Sequence, residues 1–150
     1  MSNWLIRFAF LVLVMGAGIL IGTLTAPGDW YAGLAKPVFN PPNWIFAPVW
    51  TTLYILIAMA GWRLFEADKN SVAMRLWWTQ LGLNFLWSPV FFVLQLPWLA
   101  FVVITMLLIV IIALILKVRA MDGMVALAFL PYLAWVAFAA VLNLSIAVLN

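Results

Sequence analysis

The sequence has no cysteine and no histidine, and only 7% of its 150 residues are charged. These absences exclude disulfides, thiolate nucleophiles and histidine metal ligands, and they remove the usual protein ligands of haem iron. A soluble domain carries about 25% charged residues, because water must solvate its surface. With 69% hydrophobic residues and a mean hydropathy of +1.23, the chain is suited to lipid instead. Its composition indicates a single-domain integral membrane protein.

Acidic residues are scarce as well. The four are Asp29, Glu66, Asp68 and Asp122, and all lie outside the long apolar runs. We therefore expect no acid–base site deep in a membrane and predict neither catalytic nor metal-binding residues. The net charge of +3 is small and scattered, which argues against a nucleic-acid partner.

Long apolar runs are abundant. Because a helix rises about 1.5 Å per residue, about 20 apolar residues cross the hydrocarbon core of a bilayer. A barrel strand would instead alternate over about ten residues. The sequence predicts an all-α integral membrane protein, a bundle of five transmembrane helices. The predicted spans are Trp4–Thr25, Trp44–Leu64, Leu76–Leu96, Trp98–Leu116 and Met124–Leu149.

The first run admits a second interpretation. Arg7, an apolar stretch and small residues near Thr23 also fit a secretory signal peptide. However, the run is long for a signal peptide, and Gly18 and Gly22 form a GxxxG pair that favours helix packing. We interpret it as the first span.

Basic residues are distributed unequally over the predicted connections. The side shared by the N-terminus and the second and fourth connections carries six, and Lys36 is alone on the other side. Cytoplasmic connections carry the excess of basic residues, so in a plasma membrane the pattern predicts a cytoplasmic N-terminus. The six are Arg7, Arg63, Lys69, Arg75, Lys117 and Arg119.

Ten tryptophans are an unusual number for this length. Tryptophan is typical of the interface between membrane and water, and six lie near predicted span ends. We interpret those six as an interfacial belt: Trp4, Trp44, Trp62, Trp77, Trp78 and Trp98. Trp50, Trp87 and Trp135 lie several residues inside their spans, where a belt does not explain them.

Polar side chains recur at helical spacing in the third span. Gln80, Asn84 and Ser88 follow one another at intervals of four residues, which places them on one helix face. Pro89 comes next and removes a backbone hydrogen bond, so a kink is expected there.

Two other spans carry related patterns. Trp135, Ala139 and Asn143 share a face of the fifth span, and Trp50 and Tyr54 pair in the second. Polar groups in a bilayer face the bundle interior, so these faces are expected to converge. Such a site suits a large, flat, mostly apolar ligand, for example a porphyrin or a sterol. Alternatively, the amides are polar contacts between helices.

The first connection, residues 26–43, is rich in proline, tryptophan and glycine. Pro41 and Pro42 favour an extended segment, and residues 32–35 can form one helical turn. The aromatic residues are too many for a solvated linker. We predict a structured lid over the bundle, with Lys36 able to meet an anionic group or a lipid headgroup.

Three runs of residues, taken together, are specific. They are Trp30-Tyr31-x-x-Leu34-x-Lys36-Pro37 with Pro41-Pro42-x-Trp44-x-Phe46-x-Pro48-Val49-Trp50-x-x-Leu53-Tyr54, then Gln80-Leu-x-Leu-Asn84-x-x-Trp87-Ser88, then Pro131-Tyr132-x-x-Trp135 followed by Leu142-Asn143. With them the chain resembles, over almost its whole length, the TspO / translocator protein family, also called tryptophan-rich sensory proteins or peripheral-type benzodiazepine receptors. The resemblance is to the bacterial type.

The resemblance implies five transmembrane helices, usually dimeric, around a pocket that opens under the first connection. Family members bind protoporphyrin and other tetrapyrroles, and isoquinoline or benzodiazepine-type drugs. It therefore implies a homodimer in a bacterial membrane, inner or outer, with a porphyrin or haem as ligand and no required cofactor. The resemblance implies ligand contacts by Trp50, Tyr54, Asn84, Trp87, Trp135, Ala139 and the aromatic residues of the first connection. With Lys36 and Asn143 added from their own sequence patterns, the predicted ligand-binding residues are Trp30, Tyr31, Lys36, Phe46, Trp50, Tyr54, Asn84, Trp87, Trp135, Ala139 and Asn143.

Animal members also bind cholesterol, sit in the mitochondrial outer membrane and end the fifth helix with a motif of the type Leu/Val…Tyr…Lys/Arg. Residues 142–150 here contain neither tyrosine nor a basic residue. Such motifs are weak even when complete, so tight sterol binding is not expected.

Three functions stay open at this point. The first is a tetrapyrrole receptor or sensor, with or without porphyrin transport. The second is an enzyme-like degradation of porphyrin that depends on light and oxygen and uses Trp50 and Trp135. The third is a scaffold whose ligand modulates dimerisation through faces such as Gly18 and Gly22.

Overall fold

A computed structural model describes residues 3–150, and every regular element in that range is helical. The π-helical segment continues α4 without a break, and α2 is a short helix within the first connection. The elements are α1 (Asn3–Leu24), α2 (Asp29–Gly33), a 3-10 turn (Asn43–Ile45), α3 (Phe46–Asp68), α4 (Val72–Ser88), a π-helical segment (Pro89–Val93), α5 (Pro97–Val118) and α6 (Gly123–Leu149).

The predicted all-α bundle is confirmed, and the boundaries agree to within a few residues. In the described part of the chain, four helices are long and apolar enough to cross a membrane: α1, α3 with its preceding 3-10 turn, α5 and α6. The third predicted span corresponds to α4, which has 17 residues, and to the π-helical segment that extends its path to residue 93.

The kink predicted at Pro89 takes the form of the π-helical segment. Proline has no N–H to donate, and the chain instead widens into a turn in which the Leu94 N–H donates to the Pro89 carbonyl at 2.9 Å. Gln95 follows with a φ of 58° and reverses the chain between α4 and α5. As a result, only a few residues connect the π-helical segment to α5.

Small residues let α1 approach α3. A Cβ added at Gly18 would lie 2.4 Å from the Tyr54 ring, so only glycine fits there. Because Gly18 is buried within the chain, its predicted role in a dimer face is wrong. The helix-packing interpretation of the first run is the one the structure supports. Gly22, the other member of the pair, is exposed and has no atom within 4 Å of an added Cβ.

Two ion pairs join the helix ends that carry most of the basic residues. Arg7 of α1 contacts Glu66 of α3 at 3.1 Å, and Arg63 of α3 contacts Asp122 at 2.9 Å. Asp122 also caps α6, since its carboxylate accepts from two backbone N–H groups. Partial burial opposes its ionisation, but the Arg63 hydrogen bond and the backbone donors outweigh burial and lower the pKa of Asp122. The two pairs join the start of α1 to the end of α3, and the end of α3 to the start of α6.

Four of the six tryptophans predicted to form an interfacial belt are exposed, and the prediction is wrong for Trp77. Trp4, Trp44, Trp78 and Trp98 are exposed. Trp77 is fully buried, and its indole N–H donates to the Ile57 carbonyl at 2.9 Å. Its position near a span end suggested the interface, but it packs into a space that a glycine of α3 leaves open.

That glycine is Gly61, and it yields a test of the packing. An added Cβ would lie 2.4 Å from the rigid Trp77 ring, so Gly61→Ala should destabilise the protein by about 1–3 kcal/mol, as overpacking does. Gly82 of α4 has open space around an added Cβ, and Gly82→Ala should be neutral or stabilising by up to about 1 kcal/mol. Thermal midpoints in detergent compare the two. Equal midpoints for the variants would contradict this packing.

Candidate functional site

The amide of Asn84 joins three helices inside the bundle. Its Oδ1 accepts from the Tyr54 hydroxyl of α3 at 3.2 Å, and its Nδ2 donates to the Tyr132 hydroxyl of α6 at 2.8 Å. Asn84 is 5% exposed and Tyr132 is fully buried. The predicted convergence of the second, third and fifth spans is therefore found at this amide.

Aromatic rings surround this amide. Trp50 packs against Tyr54 with ring centroids 5.4 Å apart and meets Tyr132 edge-on at 6.4 Å. Phe46, one turn before Trp50 on α3, meets Trp135 of α6 edge-on at 5.8 Å. These side chains form an aromatic wall shared by α3 and α6.

A groove runs between α3 and α6 beside this wall. Its volume is about 520 Å³, within the range of pockets that take drug-sized ligands. The indole N–H of Trp135 is buried and has no hydrogen-bond partner among the described residues. The groove is lined by Pro48, Val49, Thr52, Leu53, Pro131, Ala134 and Trp135.

Two of the predicted residues form a neighbouring contact instead. The Trp87 indole N–H donates to Asn143 Oδ1 at 2.9 Å, and Asn143 Nδ2 donates to the Pro97 carbonyl at 2.8 Å. Both ends of the Asn143 amide are thus used between α4, α6 and the start of α5. This arrangement is the polar contact between helices that the sequence left open as an alternative.

The first connection packs on the π-helical segment, as the predicted structured lid requires. Tyr31 is buried, with its ring 6.2 Å from that of Phe91 and 5.4 Å from that of Phe92. Trp30 meets Phe91 at 5.8 Å, and Phe91 stacks on Trp87 at 5.4 Å. The connection is therefore continuous with the aromatic interior.

Further contacts fix the connection to α6. The Phe39 ring lies 6.3 Å from that of Phe138, and Asn150 exchanges two hydrogen bonds of 3.0 Å with the backbone of Ala35. The helical turn predicted at residues 32–35 is wrong in register, because α2 spans Asp29–Gly33. Asp29 suits the first turn of a helix, and the chain becomes extended at Leu34.

The structure places Lys36 beside Tyr31. Its ammonium lies 4.6 Å from the ring centroid and donates to the carbonyls of Ala32 and Leu34 at 3.3 and 3.1 Å. It therefore closes the last turn of α2, where cations are favourable. Ala139, which was also predicted to bind the ligand, is partly buried and packs against the larger apolar core of the bundle.

Tyr132 was not predicted as a site residue, although it lies in Pro131-Tyr132-x-x-Trp135, one of the three runs that carry the family resemblance. A buried tyrosine needs a partner for its hydroxyl, and the nearby stripe of amides was the signal. Gln80 lies one turn before Asn84, is fully buried, and its amide makes no hydrogen bond within residues 3–150. No cluster of three or more metal-ligating side chains occurs in that range.

Comparison with known proteins covers almost the whole chain. The model of the TspO/MBR family matches residues 9–149. A tryptophan-rich protein TspO of Archaeoglobus fulgidus is 40% identical over 141 residues, which are 93% of this chain and 92% of that protein.

Two other relatives have similar coverage. The tryptophan-rich sensory protein of Cereibacter sphaeroides is 33% identical over 99% of this chain and 93% of its own length. The translocator protein of Homo sapiens is 32% identical over 93% of this chain and 87% of its own length. With its long apolar helices, the chain is a multi-pass integral membrane protein that belongs to the TspO/MBR family.

Proposed function

We propose that this protein is a membrane receptor for tetrapyrroles such as protoporphyrin and haem. The observation that carries the proposal is the groove of about 520 Å³ beside the aromatic wall of α3 and α6. Flat conjugated rings bind by stacking and by burial of apolar area, and Trp135 in the lining of the groove offers both. The names of the relatives, which describe sensory and translocator proteins, support a receptor role.

The residues favour binding of the tetrapyrrole ring over ligation of its iron. The sequence contains no histidine and no cysteine, so a haem would be held by its ring and its propionates without a strong axial ligand. Pro48, Thr52, Pro131 and Ala134 are exposed along the groove. A ligand dissolved in the bilayer can therefore reach the groove from the side of the bundle.

We further propose that α4 and the π-helical segment together form a fifth span. The helical path runs from residue 72 to residue 93, which is the length that a bilayer requires. Five spans place the basic helix ends on one side of the membrane and the first connection on the other. The two ion pairs at the basic ends support that arrangement.

Substitution of Trp135 tests the receptor. If its ring stacks on the ligand, Trp135→Leu should weaken protoporphyrin binding by about 1–3 kcal/mol, as loss of aromatic stacking on flat bases does. Tryptophan fluorescence of the purified protein, titrated with protoporphyrin, measures the change. Trp4→Leu is the matched control, because Trp4 is 64% exposed at the far end of α1.

The comparison requires variants with the helicity and thermal midpoint of the parent, since lost packing would mimic lost binding. Parent-like affinity in a well-folded Trp135→Leu variant would place the porphyrin site elsewhere.

The number of spans has its own test. With five spans, positions 69 and 119 lie on the same side of the membrane, because α4 and α5 both cross between them. If α4 did not cross, α5 alone would place them on opposite sides. We expect Lys69→Cys and Arg119→Cys to react with a membrane-impermeant maleimide from the same side of sealed vesicles, and Lys36→Cys to react from the other side. Since the parent has no cysteine, no background labelling arises. Labelling of positions 69 and 119 from opposite sides would rule out the fifth span.

A further inference from the structure

A second cavity lies within the first connection, away from the groove between α3 and α6. Its volume is about 290 Å³, and its lining is more polar than that of the groove. The start of α2, the extended segment after it and the 3-10 turn before α3 line this open cavity. The lining residues are Pro27, Gly28, Tyr31, Ala32, Lys36, Asn40 and Asn43.

The Lys36 ammonium is held in place at this cavity. Two of its three N–H donors bond the carbonyls of Ala32 and Leu34, and the Tyr31 ring lies beneath it at 4.6 Å. The third donor is left for a ligand. Both ion pairs among residues 3–150 involve arginines, so no carboxylate of those residues lies within ion-pair distance of the Lys36 ammonium.

Side-chain amides complete the lining. The Asn40 Oδ1 accepts from the Tyr31 hydroxyl at 3.3 Å, and its Nδ2 donates to the Pro41 carbonyl at 3.3 Å, so Asn40 fixes the wall of the cavity. Asn43 adds a second amide at the start of the 3-10 turn. The cavity thus combines one fixed cation with neutral polar groups.

We propose that this cavity binds an anionic oxygen group, a carboxylate or a phosphate, through Lys36. A fixed ammonium beside a small polar cavity attracts an anion and donates a charge-assisted hydrogen bond to it. The cavity lies in the connection opposite the basic helix ends, at the level of the headgroups if the five proposed spans are correct. Both a ligand propionate and a lipid phosphate occur at that level.

Matched porphyrins test the carboxylate source, and this arm rests on the proposed tetrapyrrole function. Protoporphyrin carries two propionates, and its dimethyl ester has the same ring without the charges. Lys36→Met should weaken binding of the free acid about tenfold, in the range of a charge-assisted hydrogen bond, and leave the ester unchanged. Lys36→Arg keeps the charge and should retain most of the affinity for the free acid.

Lipid binding tests the phosphate source and does not depend on porphyrin. The parent and Lys36→Met are reconstituted with dioleoyl phosphatidylglycerol or dioleoyl phosphatidylcholine, and retained lipid is counted by native mass spectrometry. If the anion is a lipid phosphate, Lys36→Met should retain several-fold less phosphatidylglycerol than the parent. Lys69→Met, which removes a lysine from the opposite side, is the control for net charge.

The outcomes separate the two proposals. A selective loss of the free acid or of phosphatidylglycerol in Lys36→Met, restored in Lys36→Arg, supports the anion site and identifies its source. Equal effects on acid and ester, together with unchanged lipid retention, would overturn it. If the parent binds no protoporphyrin at all, the tetrapyrrole proposal fails and the lipid measurement still decides the anion site.

Discussion

The two-ended hydrogen bonding of Asn84 is the interaction on which the arrangement of the site depends. No water in the hydrocarbon core can satisfy a polar side chain, so each buried amide must find its partners within the protein. Asn84 uses its oxygen toward α3 and its nitrogen toward α6. Asn143, further along α6, also uses both ends of its amide. Its oxygen accepts from Trp87 of α4 and its nitrogen donates to Pro97 at the start of α5. Two amides thereby set the spacing of four helices.

The spacing of these helices determines where the aromatic side chains pack. Tyr54 and Tyr132 are bound to one amide, and Trp50 packs against both of their rings. The π-helical segment at the end of α4 presents consecutive phenylalanines, which hold Tyr31 and with it the first connection. The groove beside Trp135 and the small cavity at Lys36 are consequences of these two packings, one within the bundle and one above it.

Much of this could be predicted from the sequence, because lipid leaves so few alternatives. The lengths of the apolar runs predicted the helices, and the four-residue spacing of Gln80, Asn84 and Ser88 indicated a helix face that points into the bundle. Depth in the core could not be predicted from position along a span, and Trp77 is buried because Gly61, 16 residues earlier, has no side chain. Nor could spacing tell that Asn143 would pair with Trp87. Pairing depends on the rotation of helices about their axes, which distant contacts determine.

The most direct test of this account is a comparison of three variants by thermal and chemical unfolding. Asn84→Leu leaves both tyrosine hydroxyls without their partner and should cost about 1–3 kcal/mol, with loss of porphyrin affinity. Adding Tyr54→Phe and Tyr132→Phe removes the unpaired groups, so the triple variant should be more stable than Asn84→Leu alone. If the stability losses of Asn84→Leu and of the Tyr54→Phe, Tyr132→Phe pair simply add, the three side chains do not act as one unit, and the central role of Asn84 is contradicted.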